Sequence, residues 1–241
     1  MKFFLGPLFF ILMVFSSCQS QRVVERTPQL EFIANRSKED EVAYTSYFKP
    51  YHNPKNQLIV IDAGHGGDDV GTSSSTSPKY QEKSLNLSTS LFLKDYLQKM
   101  GYSVEMTRSN DTFIPLATRS LIANNFNPRL FVSVHYNAAL SEQPEGIEVF
   151  YFSSDADKDR TCQSKKLGET VLGRIIQKTK AKSRGLKHGN LSVIRETNMP
   201  AILVEGGFMT NKSEMEKIKD PAYIKQLAYG IALGIDDYIK Q

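Results

Sequence analysis

Three short, almost wholly apolar runs constrain this chain most: Leu58-Ile59-Val60-Ile61, Leu130-Phe131-Val132-Ser133-Val134 and Ile202-Leu203-Val204. Each is too short for a typical helix and has the length of a strand that must be covered on both faces. The intervening segments are long enough to supply the covering helices. Ser84–Met100 places Leu85, Phe92, Tyr96 and Met100 on one side, with Gly101 positioned to end the helix. Further helices are expected around Leu116–Asn125 and Leu167–Lys180, and further strands at Val104–Thr107 and Ile147–Phe152. At the C-terminus Asp220 can cap and Pro221 takes the first helical position. Ile224, Leu227, Ala228, Ile231, Ile235, Tyr238 and Ile239 then recur on one face. The alternation predicts an α/β fold: a single three-layer domain over residues 57–241, with a mixed, mostly parallel sheet and helices on both faces. A hydrophobic content of 40% in 241 residues provides one sizeable core and excludes a disordered or collagen-like chain. A net charge of +4, spread without long runs of one sign, gives no indication of nucleic-acid binding. Two Cys allow neither a disulfide framework nor a thiolate metal cage.

Residues 1–17 (MKFFLGPLFFILMVFSS) hold one Lys, an apolar run and then small residues, the pattern of an export signal rather than a membrane span. The following Phe15-Ser16-Ser17-Cys18 is similar to a bacterial lipobox, although Phe15 stands where Leu is usual. That similarity implies lipidation of Cys18 as the first residue of the mature chain. The plainer alternative is a cleaved signal followed by a chance Cys. Gln19, rather than Asp, follows the Cys, which by similarity to sorted lipoproteins implies a periplasmic protein lipid-anchored at the outer membrane. Residues 18–56 are polar without a sustained period and are expected to form a tether, with one short ordered piece around Val42–Tyr51.

The chemistry is concentrated where the apolar runs stop. The first gives way to Asp62-Ala63-Gly64-His65-Gly66-Gly67, the second to His135 and Asn137, and the third to Glu205-Gly206-Gly207. Glu82 stands just ahead of the first helix. Ligands in α/β folds bind beyond the carboxyl ends of strands. Two neutral imidazoles and one carboxylate suit zinc with an open fourth position. A further carboxylate, a role that suits Glu205, can carry a proton from water to a leaving amine. Each residue alone has a plainer reading. His65 can be a glycine-loop residue, Glu82 a carboxylate favoured at a helix start, and His135 a satisfied strand-end histidine. Glu205 is harder to dismiss, because burying an unpaired carboxylate is costly. From the residues alone, a metallohydrolase and a set of ordinary polar strand ends stand level. The common His-Glu-x-x-His zinc helix is absent.

Taken in order, several blocks resemble the zinc-dependent N-acetylmuramoyl-L-alanine amidases of the type 3 family. They are Val60-Ile61-Asp62-Ala63-Gly64-His65-Gly66-Gly67, Glu82-Lys83-Ser84-Leu85-Asn86-Leu87, Arg119 with Ala123-Asn124, the run from Leu130 through His135 to Ala138, and Met199-Pro200 through Glu205 to Asn211. The resemblance implies zinc held by His65, Glu82 and His135, with Glu205 as catalytic acid and base. The implied reaction cuts the amide between the lactyl group of N-acetylmuramic acid and the first L-alanine of the stem peptide. Peptidoglycan or muropeptides would be the substrate, in cell-wall remodelling linked to the cell-division machinery. Asn86 and Arg119 match family positions and, with Asn137, are expected to support the site or touch substrate. The polar run Thr72–Ser77 departs from the family pattern beside Glu82. Relatives switched by division-linked activators carry a long inserted helix over the zinc. Ser153 to about Lys166 is too short for one, so an uncovered site is expected.

Two other functions compete with this reading. A serine DD-carboxypeptidase would need Ser-x-x-Lys, Ser-x-Asn and Lys-Thr-Gly. The chain offers Ser46-Tyr47-Phe48-Lys49 and Ser84-Leu85-Asn86, but only Lys178-Thr179-Lys180 for the third. A non-catalytic wall-binding lipoprotein would lack a ligand or the catalytic carboxylate, and none is missing. His52 reads as a solvated tether residue. His188, between Lys187 and Gly189, reads as part of a basic surface loop that could touch substrate.

Overall fold

The structure is a computed structural model that describes residues 57–241. The segments expected to be a signal and a tether, with Cys18, Val42–Tyr51, Ser46 and His52, lie outside the described residues.

Aliphatic runs form the centre of a six-stranded sheet. Its strands are β1 (Leu58–Ala63), β2 (Ser103–Met106), β3 (Leu130–Asn137), β4 (Ile147–Tyr151), β5 (Ser183–His188) and β6 (Ala201–Phe208), in the order β2-β1-β3-β6-β4-β5. Neighbours are parallel except β6 and β4. Ile59 lies between Val104 and Leu130, and Val132 pairs with Ile202, so the most apolar residues meet in mid-sheet.

The helices are α1 (Glu82–Lys99), α2 (Leu116–Phe126), α3 (Lys158–Thr179), the single turn α4 (Ser192–Arg195), α5 (Lys212–Ile218) and α6 (Pro221–Ile239). Leu85, Leu93 and Leu97 of α1, Val171 and Ile175 of α3, and Leu227, Ile231 and Ile235 of α6 pack on one face with Ile61, Val132 and Val204. Each such fully buried side chain contributes about 1.5–3 kcal/mol relative to exposure. The opposite face is covered more thinly. There Ala123 of α2 and Val193 and Ile194 of α4 meet Val60, Phe131, Ala201 and Leu203. Helices on both faces make the predicted three layers. Among the described residues, no helix is long and apolar enough to cross a membrane.

The last helix starts as the sequence predicts: the Asp220 carboxylate accepts from Ala222 N, with Pro221 in the first turn. Other boundaries differ. Glu82 opens α1 instead of preceding it, and α3 begins nine residues before the predicted Leu167, at Lys158. β3 and β6 do not stop at their polar residues. Backbone pairing runs on through His135 and Glu205, because the ladder depends on amide and carbonyl groups and not on side-chain polarity. Ser183–His188, for which no element is expected from the sequence and whose His188 is read as a loop residue, is the edge strand β5. Its single aliphatic residue, Leu186, hides it from a hydrophobicity reading, and an edge strand needs no more.

Candidate metal centre and active-site cleft

Three side chains from different elements converge at the carboxyl ends of β1 and β3. His65 follows β1, Glu82 begins α1 and His135 lies within β3. Glu82 Oε1 is 2.9 Å from His135 Nδ1 and 3.2 Å from His65 Nε2. The three donor atoms lie within 4.8 Å of one another. Ligands on the edges of a tetrahedron around zinc are separated by roughly 3.3 Å. The donor set and spacing therefore fit zinc. Electrostatics agree, because the point between these residues favours positive charge. Burial alone would raise the Glu82 carboxyl, but His135 and His65 outweigh it and hold it far below the usual range. Burial alone would lower the His65 imidazole, yet Glu82 and Asp69 together raise it.

The surroundings hold these groups in place. A Cβ added at Gly64 would lie 2.2 Å from His135 Cε1, so only glycine lets the ring reach its position. At Gly71, with φ +65°, a Cβ would meet Glu82 Oε2 at 2.5 Å. Glu82 Oε2 accepts from Thr72 N at 2.9 Å, so the first residue of the polar Thr72–Ser77 run helps to hold this carboxylate. Asn86 Nδ2 donates to Glu82 Oε1 and to Gly64 O. On the far side of His65, the Asp69 carboxylate is 2.8 Å from Nδ1, the arrangement that commonly orients a metal-binding imidazole.

A cavity of about 290 Å³ opens over this cluster, lined by His65, Asp69, His135, Glu205 and the apolar Leu116 and Leu191 among others. Glu205 pairs with His135 across β3 and β6, so both project from the same sheet face. Its Oε2 is buried without a hydrogen-bond partner. Burial first, and then the negative charges of Glu82 and Glu148, raise its carboxyl well above the ordinary range. A carboxyl raised in this way can hold a proton that an ordinary carboxylate would have lost. His65 and His135 keep 25% and 16% of their side-chain surface exposed. The buried side of α3 packs into the opposite core, away from that face.

Of the residues singled out in the sequence, His65, Glu82, His135 and Glu205 come together. Asn86 and Arg119 are buried beneath them. Arg119 donates to Asp62 and to the carbonyls of Ala63, His65 and Ile114, bracing the His65 loop. Asn137 accepts from Ala138 N and points its amide toward Glu148. His188 accepts from Ser153 N and stands beside Phe152. Sequence reasoning missed Asp69 and Arg108, which is buried and donates to the carbonyls of Ala63, Gly64 and Lys83. The His65–Asp69 spacing was the one available signal for the former. Arg108 had none, since its carbonyl partners carry no side-chain pattern.

Comparison with known proteins follows the same outline. The family model Amidase_3, described as N-acetylmuramoyl-L-alanine amidase, matches residues 59–237. The probable cell wall amidase LytH of Staphylococcus epidermidis is 36% identical over 187 residues, covering 77% of this chain and 60% of LytH. The chain thus spans 60% of the length of that curated relative. An N-acetylmuramoyl-L-alanine amidase from Clostridium difficile 630 is similar in structure, with a TM-score of 0.73 and 40% identity over 78% of this chain and 99% of that one. The catalytic domain of CwlV, an N-acetylmuramoyl-L-alanine amidase from Paenibacillus polymyxa, gives a TM-score of 0.70 and 36% identity, over 76% and 98%.

Proposed function

The chain belongs to the N-acetylmuramoyl-L-alanine amidase family, and on that premise we propose that it hydrolyses the amide joining the lactyl group of N-acetylmuramic acid to L-alanine in peptidoglycan. One observation carries the reading: the Glu205 carboxylate, its Oε2 buried without a partner, lines one cleft with His65 and His135, which converge with Glu82. His65, Glu82 and His135 would hold zinc. Zinc, when bound, supplies Lewis acidity toward a carbonyl and acidifies water. Glu205 takes the proton of the attacking water and delivers it to the departing alanine nitrogen, so the amide breaks into a carboxylate and a free amine. Asp69 fixes the His65 ring, and Asn86 and Thr72 fix Glu82. The proposal includes export and attachment to the outer membrane through Cys18, and action in cell-wall remodelling during division.

Mass analysis of products from purified peptidoglycan fragments tests it. Intact stem peptide with a new L-alanine amine is expected, abolished by a zinc chelator. E205Q should lower the rate by about 10²–10⁴-fold, the usual share of a general acid–base, with zinc still bound. Loss of only the terminal D-alanine would overturn the reading in favour of a carboxypeptidase.

A further inference from the structure

A row of charged side chains continues past Glu205 toward the edge of the sheet. Glu205 pairs with Glu148 across β6 and β4, as it does with His135 on its other side, so all three project from one face. On the edge strand β5, Arg184 Nε and Lys187 Nζ both reach Glu148 Oε1, Lys187 at 2.9 Å. Glu148 itself is buried. The Arg184 guanidinium lies over the Phe208 ring, 4.9 Å from its centroid, which limits its range of positions. Arg184 and Lys187 nevertheless leave 33% and 38% of their side chains exposed. Both cations share a single oxygen of Glu148, so neither is fully engaged by it. A guanidinium and an ammonium fixed in this way have donors to spare for a second carboxylate.

We propose that Arg184 and Lys187 form an anion subsite that receives the free α-carboxylate of the second stem-peptide residue, the γ-linked acidic residue after L-alanine. This rests on the amidase reading above. Spacing supports it. β5 is two strands from β6, roughly 10 Å at about 4.8 Å per strand. From the scissile nitrogen, one extended residue spans roughly 3.6 Å, and the next α-carboxylate lies a few Å further. A hydrogen bond of about 2.8 Å closes the gap. The cavity wall toward α2 and α4 carries the apolar Leu116, Leu191 and Val193 beside Ser192, and its charged groups Asp69 and Arg119 are already engaged with His65 and Asp62. Charge therefore sets the direction of the substrate, with the peptide over β4 and β5 and the less charged lactyl and sugar portion toward α2 and α4.

The test uses the purified zinc-loaded protein and muropeptides that differ only in whether the second-residue α-carboxylate is free or amidated. A further pair differs only at the terminal carboxyl. Both kcat/KM and calorimetric binding are measured. A preference of roughly 10–100-fold for the free second-residue carboxylate is expected, the size of charge-assisted hydrogen bonds. R184Q/K187Q should bring that ratio close to one, mainly through KM, and K187E should reverse it. K187Q alone leaves Arg184 on Glu148, so it guards against misfolding and should lose part of the preference. Equal handling of the first pair by the wild-type protein would overturn the subsite, and so would a preference that follows only the terminal carboxyl. Binding preference without hydrolysis would retain the subsite and sink the amidase reading. Hydrolysis without preference would do the reverse.

Discussion

Gly64 and Asp69 show how little a candidate site owes to its ligands alone. The first is glycine because the His135 ring fills the space of a Cβ, and the second holds the opposite side of His65. A ring held against a carboxylate keeps one orientation, and the nearby negative charge raises its basicity toward a metal. D69N should therefore weaken zinc binding by about 10–100-fold, read by competition with a chromophoric chelator. Unchanged affinity would make Asp69 a passive neighbour. The role of Asp69 is faint in the sequence: apart from its spacing from His65, an Asp next to another Asp in a glycine-rich loop looks like any solvated residue. Only the turn of the loop, with His65 at φ +59°, brings Asp69 back onto the ring.

Legibility followed length and a regular apolar face rather than burial: the short helices Ser192–Arg195 and Lys212–Ile218 hold buried Val193, Ile194, Met215 and Ile218 yet leave no readable period. The C-terminal helix, with its cap, proline and apolar face, was read in full, whereas the edge strand Ser183–His188 was not. The contact between α3 and α6 adds a constraint that no helical period reveals. A Cβ at Gly234 would stand 2.4 Å from Val171 Cα, and one at Gly230 would stand 2.7 Å from Ile175 Cα. Two opposing effects bear on G234A. Alanine favours an isolated helix by about 1 kcal/mol, but backbone cannot move aside as a side-chain tip can, and overpacking costs about 1–3 kcal/mol. Overpacking should win, lowering stability by roughly 1 kcal/mol in urea denaturation. A stabilised variant would mean that the helices can part without loss.

At the scale of the whole molecule, Asp62 and Arg119 connect sheet, loop and helix through one buried ion pair at 2.8 Å. Burial alone would raise the Asp62 carboxyl, but Arg119, Thr107 and Ser133 outweigh it and hold it below its ordinary value. Its contribution to stability is therefore complete above the unfolded value of about 3.9 and is lost as pH falls through the lower folded value. Urea midpoints measured from neutral pH into that acid range should fall, and D62N should flatten this part of the slope. At neutral pH the same variant should cost about 3–5 kcal/mol, because Arg119 would remain buried without its partner. An unchanged acid slope in D62N would assign the loss to other carboxylates. The amino-acid order by itself determined the layered α/β fold and the polar residues at its strand ends, since apolar periodicity and strand-end chemistry are local properties. Tertiary structure alone decided the bracing by Asp69 and Arg108, the edge strand, and the row from His135 through Glu205 to Glu148, Arg184 and Lys187. Those relations depend on strand order and register, which join residues far apart in the chain through contacts that no local pattern encodes.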